Sequence, residues 1–99
     1  MNSIAQFKES LAQSMPPQDI SAPLKSLWYD AKGNWRQAHA VVDQLPGPEA
    51  ARVHAYLHRK EGDIWNADYW YNRAKQQRPD VSLDDEREEL LLFFIKQAY

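Results

Sequence analysis

Apolar residues recur at three- and four-residue spacing in six stretches, which predicts helices throughout and no strands. Near the start, Ser3 is placed to cap a helix over residues 3–15 with Ile4, Phe7 and Leu11 on one stripe, closed by Met15-Pro16-Pro17. Ser21 caps the next helix, Pro23 sits in its first turn, and Leu24, Leu27, Trp28 and Ala31 line its apolar face. Gly33 stops that helix and Asn34 caps another carrying Trp35, Ala38, Val41, Val42 and Leu45, so residues 22–45 read as a hairpin. Pro48 opens a helix to about Lys60, and Gly62-Asp63 turns it into one ending near Gln77 before Pro79, a second hairpin over 48–78. Ser82 with Asp85 three residues later starts a last helix over 82–98, whose run Leu90 to Ile95 is apolar on every side.

The two hairpins share a plan. Sliding the chain by 29 residues superimposes Gly33 on Gly62, Asn34 on Asp63, Ala38 on Ala67 and Val42 on Tyr71. Gly62, Ala67, Tyr71, Ala74 and Pro79 also fall at the spacings of the glycine, alanine, aromatic, alanine and proline of the tetratricopeptide signature, which this segment resembles. Ala51, His54 and Ala55 stand where that signature has its early tryptophan and leucine-glycine. The segments Leu27 to Trp35 and His54 to Ala74 resemble those of small uncharacterised bacterial helical proteins, a likeness that implies no activity. The expectation is one all-α domain, residues 1–99, of about six helices: two tetratricopeptide-like αα-hairpins with N- and C-terminal capping helices. The offset falls short of the roughly 34-residue repeat of tetratricopeptide arrays, and the tight link Leu45-Pro46-Gly47-Pro48 accounts for the difference.

Composition narrows the class. With 99 residues, 43% hydrophobic, the chain supports one core, and four Trp, five Tyr and three Phe make that core aromatic. The absence of cysteine removes disulfides, thiolate metal sites and cysteine nucleophiles, and fits a reducing, cytoplasmic setting. No secretory or membrane-spanning segment is expected, since the longest apolar run is far too short. The N-terminal helix carries only Lys8 as a cation, which favours packing on the domain over a membrane surface. A net charge of −2 gives no general pull toward nucleic acid. Residues 48–79 hold six Lys/Arg against four Asp/Glu, whereas 80–99 hold two against six, so the acidic tail helix is expected to lie on the basic hairpin. The greasy face of that tail requires either the N-terminal helix or a second copy as its cover; a homodimer through the C-terminal helix is the rival arrangement.

Three constellations carry candidate chemistry. His54 and His58 lie one turn apart with Glu61 three residues on, a workable metal face for which His39 on the first hairpin is the only further histidine. Ala55 follows the first of the pair where metalloprotease helices have glutamate. Trp28, Trp35, Trp65 and Trp70 read either as a stacking platform for bases or sugars or, at helical spacing, as core and rim; Trp65 is the one expected at the surface, as an anchor for a partner. Arg52, Tyr56, Arg59 and Lys60 form a stripe on the first helix of the second hairpin. In the tetratricopeptide proteins that this segment resembles, the first helices line a groove that holds a peptide, which implies that the stripe takes an acidic segment or a carboxylate. The internal alternative is that Glu86, Glu88 or Glu89 takes those charges.

No glycine-rich phosphate loop is present, and no nucleophile–histidine–acid set has a favourable spacing. The expectation is therefore a non-enzymatic interaction module or scaffold without cofactor, with metal or small-molecule binding at His54, His58 and Glu61 as the alternative.

Overall fold

Helix starts are closed by the side chains that the pattern singles out. Ser3 accepts from the Gln6 N–H to begin α1 (Ile4–Ser10), Ser21 from Leu24 to begin α2 (Ala22–Ala31), and Asn34 from Gln37 to begin α3 (Trp35–Asp43). Pro48 opens α4 (Pro48–Lys60) directly after Gly47 at φ 99°, and Asp63 accepts from Asn66 to begin α5 (Ile64–Arg73). The Ser82 hydroxyl receives the Asp85 N–H at 3.0 Å and starts α6 (Leu83–Gln97). The computed structural model describes residues 2–97, and among these the protein is all-α, with six helices and no strand. Ala98, the expected end of the last helix, lies outside the described residues.

The two corners are built alike. At Gly33, φ 82°, the Gly33 N–H reaches Asp30 and the Asn34 N–H reaches Tyr29; at Gly62, φ 90°, the Gly62 N–H reaches Arg59 and the Asp63 N–H reaches His58. Each is a left-handed residue that folds two N–H groups back onto the last turn, closing carbonyls that the helix leaves open. A third such ending closes α5. Lys75 takes φ 59°, donates to Asn72, and is followed by Gln76 donating to Tyr71. This ending corrects the expectation that the helix runs to Gln77. Ala74 is the last buried position, and beyond it the polar Gln76 and Gln77 offer no face whose burial could extend a short helix.

The first helix is also shorter than the pattern predicts. It ends at Ser10, whose hydroxyl donates to the Phe7 carbonyl at 2.6 Å, instead of continuing to Met15. Lys32 takes up the carbonyls of Leu11 and Gln13 at 2.7 and 3.0 Å, so the turns that follow need no helical ladder.

Helix α4 is the axis of the fold. It packs on α5 as one hairpin, on α3 of the neighbouring hairpin, and on α2 and α6. Val53, Ala55, Tyr56 and Leu57 on it are buried, and the main core joins Val53, Tyr56 and Leu57 to Phe7, Leu24, Leu27, Trp28, Leu91 and Phe94. Each such aliphatic or aromatic side chain contributes about 1.5–3 kcal/mol on leaving water. Small side chains set the hairpin spacing, with Ala55 and Ala67 closed against Tyr71. Helix α6 lies against α1, α2 and α4; it turns Leu90, Leu91, Phe94 and Ile95 inward and leaves Leu92 and Phe93 about half exposed. Its apolar run is therefore covered on one side within the chain. Among the described residues no helix is long and apolar enough to cross a membrane.

Candidate functional site

The cationic stripe on α4 points inward to acids of its own chain. Glu86 of α6 is fully buried, and its carboxylate accepts from Arg52, from Arg59 at 2.7 Å and from the Tyr71 hydroxyl at 2.6 Å. Arg59 also donates to the Val81 carbonyl. Lys60 reaches Asp30 of α2 at 2.9 Å, and the Tyr56 hydroxyl lies 3.4 Å from the same carboxylate. Tyr56 is 1% exposed, so it presents no ring to an outside ligand. Among the described residues every buried side-chain polar atom has a partner, as a low-dielectric interior demands.

The titration behaviour follows from this packing. The hydrogen bond to Glu86 holds the Arg59 guanidinium even more firmly protonated than usual. Burial, and then the bond to Glu86, pushes the Tyr71 phenol up; burial, and then the charge of Asp30, does the same for Tyr56. The cluster is thus a closed set of ion pairs. Of the acids in it, Glu86 sits with Leu90 and Phe94 on one helical stripe and Asp30 with Leu27 and Ala31 on another. A lone carboxylate on an apolar stripe is the signal by which Asp30 could have been found from the sequence.

The second constellation draws residues from both hairpins. His39 on α3 meets His54 and His58 on α4, with one ring nitrogen of each within 4.8 Å of the others. The Nε2 atoms of His39 and His54 are 2.9 Å apart, and the His54 ring stacks on His58 at 4.9 Å and on Trp70 at 3.9 Å. Trp35 stacks on His39 at 5.0 Å and anchors α3 by donating its Nε1–H to the Leu57 carbonyl at 2.8 Å. Glu61 stands behind His58, with Oε2 2.6 Å from Nδ1. Burial lowers the His54 pKa to about 4, helped by His39 and His58 and opposed by Asp43. Glu61 therefore touches only His58 of the pair it was expected to join, and His39 completes the trio. A second grouping, His58 with Glu61 and Asp63, lies at the exposed α4–α5 corner.

The tryptophans divide. Trp28 is buried and donates to the Ser10 hydroxyl at 3.1 Å; Trp35 and Trp70 are half-buried around the histidines. Trp65 alone stands out at 81% exposure, one turn before the half-exposed Tyr69 on α5. A platform of all four rings does not form. No protein family, no curated protein and no solved structure matches the chain.

Proposed function

We propose that the protein is an interaction scaffold, without a reaction of its own, that engages a partner protein through the aromatic edge of α5. The single observation that carries this is Trp65, 81% exposed in a chain that buries Trp28 to 1%. An indole left in water costs free energy that a contact recovers, and tryptophan and tyrosine are the side chains that most often dominate such contacts. Trp65 and Tyr69 lie one turn apart and, with Asp68 and Asn72, border a shallow cleft of about 260 Å³.

The tetratricopeptide resemblance supports a scaffold and shifts its open surface. In that reading α2 and α4 are the first helices of their hairpins and flank the peptide groove. Helix α6 packs against both, and Glu86 takes Arg52 and Arg59. The acidic segment expected for the groove is then supplied by the chain itself, which leaves the α5 edge as the external contact. A photocrosslinking side chain at position 65 tests this against one at the exposed position 36. Discrete adducts from position 65 that disappear with Tyr69→Ala support the proposal; indistinguishable adducts from the two positions overturn it.

A further inference from the structure

All three histidines of this 99-residue chain meet at one place, although they come from two hairpins and from positions as far apart as 39 and 58. We propose that His39, His54 and His58 form a binding site for a borderline divalent cation of the Zn²⁺ class, with Glu61 as the outer partner that orients His58. The site bridges α3 and α4 and takes no ligand from the docking edge on α5.

Donor chemistry selects the ion. Imidazole nitrogen suits zinc, copper and nickel, whereas magnesium and calcium take oxygen. Zinc–nitrogen bonds of about 2.0–2.1 Å in a tetrahedral arrangement place ligand nitrogens about 3.3 Å apart. The His39 and His54 Nε2 atoms stand at 2.9 Å, and the trio lies within 4.8 Å. Shifts of about 0.4 Å at the close pair, and of up to about 1.5 Å elsewhere, bring the nitrogens to ligand spacing. Between His39 and His54 the approach is that of a shared N–H, one ring donating and the other accepting. A cation takes that place and accepts both Nε2 lone pairs once the donating ring carries its proton on Nδ1 instead, so each ring stays neutral.

Two further observations favour a ligand set over a packed polar core. First, Glu61 holds Nδ1 of His58, which fixes that proton and leaves Nε2 as the free lone pair; carboxylate–histidine–metal sites are assembled in this way. Second, the rings are braced by aromatic walls, Trp35 against His39 and Trp70 against His54, so little side-chain freedom remains to be lost on binding. His54 and His58 are buried while His39 is half-buried, which makes the His39 side the route of entry and the place of a fourth ligand such as water.

The experiment is titration of tag-free, chelator-treated full-length protein with Zn²⁺ by calorimetry, paired with Co²⁺ absorption spectra. Expected are one equivalent per chain, tetrahedral Co²⁺ bands, at least 100-fold weaker binding in His39→Ala, and about 10–100-fold weaker binding in Glu61→Ala. Helical circular dichroism establishes that each variant is folded, and His39→Gln serves if the alanine variant is not. Substoichiometric uptake by the unaltered chain overturns the site. So does binding that survives loss of His39 but is lost in Asp63→Asn, which would place the ion at the exposed His58–Glu61–Asp63 corner.

Discussion

The Glu86 carboxylate on α6 receives the Arg59 guanidinium at 2.7 Å while wholly shut off from water. Arg52 and Tyr71 complete its shell, so the last helix is held to the second hairpin by one acid with three donors. Glu86→Ala removes the shared acceptor of two cations and a phenol at that seam, leaving Arg59 only the Val81 carbonyl. The expected loss is about 3 kcal/mol in urea denaturation, toward the low end for a broken buried pair because the arginines reach the surface. Glu86→Gln retains an acceptor and is expected to lose less. The double variant Arg52→Ala, Arg59→Ala is likewise expected to lower stability, since it strands Glu86; an unchanged midpoint would show that the seam contributes nothing net.

Lys75 holds a left-handed backbone, φ 59°, in the turn that ends α5. Glycine adopts that conformation without the Cβ clash, which costs other residues about 1–2 kcal/mol. Lys75→Gly is therefore expected to stabilise the protein by up to about 1 kcal/mol, after the entropy of the freer unfolded chain is subtracted. Gly33→Ala and Gly62→Ala, at φ 82° and 90°, are expected to destabilise it by about 1 kcal/mol or more. Thermal melts of the three variants check the opposed signs.

Two tryptophans are expected to behave oppositely. Trp65→Ala removes an 81% exposed ring and should leave stability within about 0.5 kcal/mol of the parent. Trp28→Ala opens a cavity among Phe7, Leu24 and Leu27 and frees the Ser10 hydroxyl, for a loss of about 3–5 kcal/mol. Equal midpoints for the two variants would contradict the assignment of core and surface.

Folding depresses the His54 pKa from 6.5 to about 4, so the unfolded chain takes up this proton first. Stability is then full above pH 6.5 and declines as the pH falls toward 4, at about 1.4 kcal/mol per unit for a single group. His39 and His58 face the ring from α3 and α4, and Asp43 opposes their effect. Denaturation midpoints from pH 7.5 to 4 are expected to slope more gently in His54→Gln than in the parent. Parallel slopes would assign the acid sensitivity elsewhere.

Much of the architecture was legible because its signals are local. Ser21 with Pro23, Gly33 with Asn34, and Gly62 with Asp63 act within a turn of where they stand, and each acts there in the fold. Helix ends marked only by a proline further on lie earlier than the pattern predicts, at Ser10 and Arg73, and nothing in the string marks Lys75 as left-handed. The sites depend on contacts between helices. The arginine stripe on α4 is plain in sequence, but the choice of Glu86 over Glu88 or Glu89 is made by which face of α6 turns inward. His54 and His58 announce themselves by spacing, whereas His39 joins them only through the packing of α3 on α4.

Under the 29-residue shift that relates the hairpins, His39 falls on Asp68, His54 on Lys25 and His58 on Tyr29. No imidazole has a counterpart in the other hairpin. The trio thus belongs to neither hairpin alone and exists only where α3 of the first packs on α4 of the second. A probe attached to those rings would accordingly register the parting of the halves, even while each half kept its own turns of helix.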